Sequence, residues 1–165
     1  MTDDEINEVK KRLRLSRDTW QFFWKTPLRG TKIGDRAGVM ESSGYRRIMV
    51  NKKNYREHRL VWLFEHGAFP ITGVDHIDGN RANNNPANLR LATHAQNQQN
   101  RAKIGYGTTG FLGVTYLPDG KKYVAQISVN GKHRYLGRFA SPEDAYAAYL
   151  DAKASLHTFN PVPRT

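Results

Sequence analysis

This sequence predicts an α+β fold built as two small domains, and three observations carry the prediction. Apolar residues make up 38% of the 165, enough for small cores and lean for one large core. Short runs of alternating polar and apolar residues are separated by turns rich in Asn, Asp and Gly, the pattern of antiparallel strands. A stretch rich in glycine and polar residues, 101–110 (RAKIGYGTTG), parts two such regions and reads as a linker. The expected organisation is a first domain over 1–100, the linker, a second domain over 111–157 and a disordered tail over 158–165.

The elements follow in order. Ile6, Val9 and Leu13 recur at spacings of three and four, which predicts a helix from Asp3 to about Leu15. Lys10, Lys11, Arg12 and Arg14 suit its negative end, as a solvated face or as a contact with a polyanion. The aromatic run Trp20 to Trp24 (WQFFW) is the natural filling of a small core. From Ile33 to Leu63 the chain reads as antiparallel strands broken at Gly34-Asp35, Ser43-Gly44 and Asn51-Lys52-Lys53-Asn54. Arg46, Arg47, Lys52, Lys53, Arg56 and Arg59 make this the most basic short stretch, placed to hold a phosphate backbone. His58 to Phe64 is a buried helix or strand, ended by Gly67 and Pro70.

In the second domain, strands are expected over 113–116, 122–129 and 132–139. Pro118-Asp119-Gly120 and Asn130-Gly131 supply the turns. Ser141 as N-cap, Pro142 at the first helical position, and Glu143 and Asp144 in the first turn announce a helix. Ala145, Ala148, Tyr149, Ala152 and Leu156 share one face of it.

Composition narrows the function. The net charge is +11, from 26 basic and 15 acidic residues, so a polyanion is the first partner to consider and nucleic acid the commonest. With no cysteine, disulfides and Cys-ligated zinc are excluded. No apolar run is long enough to cross a bilayer, and the acidic start MTDDEINEV is unlike a secretory leader. The expectation is a cytoplasmic protein of a bacterial or phage-infected cell. In the absence of a coiled-coil heptad it is expected to be a monomer.

The chemistry concentrates in Gly73 to Asn100 (GVDHIDGNRANNNPANLRLATHAQNQQN), read as strand, turn, strand and helix. Neighbours on a strand face opposite ways, so Asp75 and His76 divide their labour. Asp75 offers a hard oxygen to a divalent cation and His76 an imidazole that is partly neutral near pH 7. Asn88, on the returning strand, is expected to hold the imidazole N–H. Thr93 and Gln96 form a capping box that opens the last helix. Asn97 in that helix is placed as the second metal ligand, in an open shell that favours magnesium or manganese. The competing reading is a loop whose Asn and Asp residues only cap turns.

His58-Arg59-Leu60-Val61-Trp62, Asp75-His76-Ile77-Asp78-Gly79-Asn80, Asn88-Leu89-Arg90 and Asn97 together resemble an HNH homing endonuclease of the phage and intron type, with a ββα-metal active site. The resemblance implies a metal-dependent DNA endonuclease; one catalytic set per chain and no evident dimer surface lead to the expectation that it nicks one strand. It implies Asp75 and Asn97 as metal ligands, His76 as general base and Asn88 as its orienting partner. It departs from the commoner pattern in having Asn97 where His is frequent; His94 lies too early in the helix to replace it.

Residues 110–157 are similar to the plant apetala/ethylene-response-factor DNA-binding domain. Gly113-Val114, Tyr123-Val124-Ala125-Gln126-Ile127, Tyr135-Leu136-Gly137-Arg138-Phe139 and the helix of Glu143 to Tyr149 carry that likeness. It implies a three-stranded sheet in the major groove of double-stranded DNA, with Thr115, Gln126, Ser128, His133 and Tyr135 facing the groove. The plant domain's arginines and tryptophans are missing at several of these places, so its target sequence does not transfer. The alternatives are a regulator that kept the nuclease fold without cutting and, with less in its favour, an RNA-binding protein.

Overall fold

Thr2 opens the first helix as a capping box: its hydroxyl accepts from the Glu5 N–H while the Glu5 carboxylate accepts from the Thr2 N–H. Helix α1 runs Asp3–Arg12, with acids in its first turn and bases in its last. It stops short of the expected Leu15. Leu13–Ser16 is instead a strand, β1, paired antiparallel with β2, Gln21–Trp24. The reason is burial. Leu13 sits across from Trp24 and Leu15 across from Phe22, and Leu13, Phe22 and Trp24 are all buried. The aromatic run thus fills a core, as its composition predicts.

The computed structural model describes residues 1–27, 30–99, 109–157 and 159. Its contacts divide the chain into two units, Met1–Thr93 and His94–Thr165. Most of the expected linker and nearly all of the expected tail lie outside the described residues. Residues 94–99, which the sequence reading placed in the first domain, group with the second unit.

In the first unit, β3 (Val39–Met40), β4 (Arg46–Val50) and β5 (Lys53–Arg56) form an antiparallel sheet. Its tight turn places Asn51 and Lys52 at φ 48° and 63°, the left-handed values a two-residue hairpin needs. Ile48 and Val50 point inward and Met49 outward. Gly38, at φ 78°, lies so close under β4 that a Cβ would stand 2.3 Å from the Arg47 carbonyl oxygen; only glycine fits there. Helix α2, Glu57–His66, buries Leu60, Val61 and Leu63 and ends at Gly67 in the left-handed conformation. The hairpin of β6 (Gly73–His76) and β7 (Leu89–Ala92) completes the unit.

In the second unit, α3 is His94–Gln99. The sheet of β8 (Val114–Leu117), β9 (Lys122–Val129) and β10 (Lys132–Phe139) is antiparallel in the order β10-β9-β8. Helix α4, Pro142–Leu156, is capped by the Ser141 side chain as expected. It packs on one face of the sheet around Val114, Ala125 and Ala145. Gly113 permits this: a Cβ there would meet the Tyr149 ring at 2.2 Å. Both units thus mix helix and antiparallel sheet, which is the α+β class expected. Among the described residues, no helix is long and apolar enough to cross a membrane.

Candidate active site

The β6–β7 hairpin puts Asp75 opposite Arg90 and His76 opposite Leu89. Asp75 and His76 are both buried, at 5% and 2% exposure. Two acids or bases are held this deep only where polar partners receive them. For Asp75 that partner is Arg90, whose Nε and Nη2 each donate to Oδ2 at 3.0 Å. For His76 it is Asn84, whose Oδ1 lies 3.0 Å from Nε2.

Asn84 corrects the sequence reading, which placed Asn88 at the imidazole. Asn88 lies in a short 3-10 turn, Pro86–Asn88, just before β7, and its amide works on the loop instead. Its Oδ1 accepts from the Asp78 N–H at 3.0 Å. Its Nδ2 donates to Asp78 Oδ1 and to the Asn83 carbonyl, both at 2.9 Å. The Ile77 N–H closes the same end of the loop on the Asn88 carbonyl at 2.8 Å. Asn83 Nδ2 reaches Asp78 Oδ2 at 2.8 Å, and Asn80 and Asn85 each accept from a backbone N–H two residues on. So Asn80, Asn83, Asn85 and Asn88 are turn residues, while Asn84 alone turns inward, at 5% exposure. Three consecutive asparagines, Asn83 to Asn85, carry no pattern that marks the middle one.

Behind Asn84 stands Glu57, the first residue of α2, 2% exposed. Asn84 Nδ2 donates to Glu57 Oε2 at 2.8 Å. Arg36 pairs with the same carboxylate, Nη1 to Oε1 at 2.6 Å and Nη2 to Oε2 at 2.9 Å. The Phe22 N–H adds a bond to Oε1 at 3.3 Å. Sequence reasoning missed Glu57. Its signal is slight: one acid immediately before His58 in the most basic part of the chain.

His58 packs its ring against that of His76, centroids 4.9 Å apart, and Tyr45 borders both. Burial, with help from the charges of His76, Arg59 and Arg56, pushes His58 down to about 3. Burial also holds His76 below the ordinary histidine range; its bond to Asn84 and the Asp78 and Asp75 carboxylates oppose this without overcoming it. Burial acts to raise the Asp78 carboxyl, but the bonds from Asn83, Asn88 and the Asn80 N–H outweigh it, and the group lies below its usual value. Arg81 lies over the Tyr45 ring at 4.8 Å and donates to the Ser43 carbonyl at 2.7 Å; Arg56 lies 5.1 Å from the same ring.

The six cations expected to hold phosphate are less available than their density suggests. Arg47 pairs with Glu41 at 3.0 Å, Arg56 pairs with the same Glu41, and Lys53 pairs with Glu5. Arg46 donates to the Gly38 carbonyl and Arg59 to that of Pro70. Lys52, on the turn, is exposed. In the second unit, His133 pairs with Ser128, Tyr135 with Gln126 and Thr115 with Val124. That register sets Thr115, Gln126, Ser128, His133 and Tyr135 on one exposed sheet face. Asn97 is half-buried on α3.

Among the described residues, no group of three or more His, Asp or Glu side chains is placed to hold a metal. A magnesium-type ion needs only one or two carboxylates, its remaining ligands being water and substrate phosphate. Asp75, in the first unit, offers a hard oxygen of that kind; Asn97, the other expected ligand, lies in the second unit.

A histidine and an aspartate thus stand side by side on a strand, closed by an asparagine-stapled loop and a second strand. Residues 55–99 match the model of the HNH endonuclease family, and this chain belongs to that family. A similar protein, protein 3.8 of Escherichia phage T7, is 32% identical over 85 residues, which span 50% of this chain and 70% of that one. A solved structure titled "DNA binding and cleavage by the HNH homing endonuclease I-HmuI" covers 81% of this chain and 75% of its own, with 22% identity and a TM-score of 0.41.

Proposed function

We propose that this chain is a metal-dependent DNA endonuclease of the homing type that nicks one strand, with its second unit as a DNA-recognition module. The observation that carries the reading is a buried His76 beside Asp75 on the β6–β7 hairpin, in a chain of the HNH endonuclease family. His76 takes the proton of the attacking water. Asp75 would hold the divalent ion, magnesium or manganese; when bound, such an ion supplies Lewis-acid stabilisation of phosphate charge and lowers the pKa of bound water. Arg81, fixed by Ser43 and Tyr45, receives a phosphate oxygen. Asn88 serves the reaction indirectly by closing the loop after His76.

The exposed face of Thr115, Gln126, Ser128, His133 and Tyr135 supports the second half of the proposal. On this reading that face enters the major groove, as in the apetala/ethylene-response-factor domain that its sequence resembles. The protein acts as a monomer, one catalytic set cutting one strand.

A second reading, a DNA-binding protein that kept the fold without cutting, draws on the two bonds by which Arg90 already occupies Asp75. Relaxation of supercoiled plasmid separates the two. The nuclease reading expects nicked circle with magnesium or manganese, none with EDTA, and a loss of about 100- to 10,000-fold in His76→Ala with DNA binding kept in a gel shift. Wild-type cutting by His76→Ala would refute the assignment. Wild-type binding with no cutting under either metal would favour the regulator.

A further inference from the structure

The buried chain Arg36–Glu57–Asn84–His76 has a direction written into it. Glu57, ion-paired with Arg36, presents only acceptors. The group of Asn84 that faces Glu57 Oε2 at 2.8 Å must therefore be its donor, the NH₂. That turns the Asn84 carbonyl toward His76, and an amide oxygen only accepts. The nitrogen 3.0 Å away, Nε2, must then carry the hydrogen.

We infer that Glu57, held by Arg36, sets the tautomer of His76 through Asn84: the imidazole is locked as Nε2–H, which makes Nδ1 its basic nitrogen. Resting on the nuclease reading, this assigns Asn84 and Glu57 as positioning residues and Nδ1 as the atom that takes the proton. The four side chains come from two elements and two connecting segments: Arg36 precedes β3, Glu57 opens α2, Asn84 sits in the loop after β6 and His76 ends β6. Glu57, Asn84 and His76 are all 5% exposed or less. Water therefore does not scramble the orientation, and each amide or ring flip would set two donors or two acceptors face to face. A salt bridge this deep is weak evidence for stability; specifying one proton position is a role that needs it.

Glu57→Gln tests the relay without touching His76. The glutamine oxygen goes to the Arg36 guanidinium, so its NH₂ faces Asn84. The Asn84 amide then turns over and offers its own NH₂ to Nε2, which drives the proton to Nδ1. In ¹⁵N-labelled full-length protein at about pH 7.5, where neutral imidazole dominates, two-bond ¹H–¹⁵N spectra read the tautomer directly. The His76 signals are identified by their loss in His76→Gln. The wild type is expected to be Nε2–H, Glu57→Gln to shift toward Nδ1–H, and Asn84→Ala to populate both forms. Losing a partner that orients a histidine costs on the order of 10- to 100-fold; that loss is expected in kcat for both variants, with KM for DNA nearly unchanged.

An Nδ1–H wild type, or a folded Glu57→Gln that stays wholly Nε2–H, overturns the inference. The wild-type spectrum decides the first point even where a variant does not fold. A protein that shows the expected tautomers but never cuts DNA would sink the nuclease reading and leave the relay standing. A protein that cuts with the opposite tautomer would do the reverse.

Discussion

Replacing Arg90 with alanine removes both guanidinium bonds to Asp75 while leaving that carboxylate buried. The Asp75 side chain is 6% exposed and that of Arg90 23%. Breaking a buried pair by deleting one partner costs about 3–5 kcal/mol. Arg90 is partly open to water, so the lower end applies, about 3 kcal/mol. For a unit the size of the first one, each kcal/mol shifts Tm by about 4–8 °C, so the variant should melt about 12–24 °C lower. All three tryptophans, Trp20, Trp24 and Trp62, lie before Thr93. Tryptophan fluorescence in urea therefore follows the first unit alone. The companion variant Asp75→Asn/Arg90→Ala, which deletes the charge as well as its partner, should regain most of the loss. A change below about 1 kcal/mol in Arg90→Ala would show that the pair is not a buried one in solution. A double variant no more stable than the single one would refute the argument that the stranded charge is what costs.

Three further outcomes follow from the same geometry. His58, lowered to about 3 when folded and near 6.5 when unfolded, contributes stability that is complete above pH 6.5 and is lost as pH falls toward 3, at about 1.4 kcal/mol per pH unit. In His58→Phe the urea midpoint should fall less steeply over that range, and a parallel fall would refute the assignment. Asn88→Ala deletes three bonds of the loop and should cost about 1–3 kcal/mol by urea denaturation; a change under about 0.5 kcal/mol would mean the loop holds without it. In DNA binding, each phosphate neutralised by a basic side chain adds about 0.9 to the steepness of log K against log salt. Lys52→Ala and Arg81→Ala should each flatten that slope by about one such step, whereas Arg47→Ala, already paired with Glu41, should change it less. Equal effects from all three would show that the ion pairs open on DNA.

What could be read in the sequence was set by how local its cause is. The β9–β10 hairpin and the start of α4 were legible because Asn130-Gly131 and Ser141-Pro142 act within a few residues. The end of α1 was not: Leu13 fits a helical spacing with Ile6 and Val9, and only its distant partner Trp24 makes it a strand. The basic stretch was visible as charge, but Glu5 and Glu41, which neutralise part of it, are partners that spacing does not reveal. In the site, Asp75 and His76 stood out as an adjacent acid and base. The partner of His76 did not, because three consecutive asparagines look alike until the loop folds and one of them meets Glu57.

The bond from the Phe22 N–H to Glu57 has a use of its own. Phe22 and Glu57 are 35 residues apart, and Asn84 reaches the same carboxylate from 27 residues away. An amide so placed exchanges with solvent deuterium only when the Glu57 cluster opens, by local fluctuation or by global unfolding. The Phe22 amide is thus a native reporter, outside the active loop, on how often that cluster comes apart. Comparing its exchange rate with those of its neighbours on β2 would separate opening around Glu57 from unfolding of the whole core.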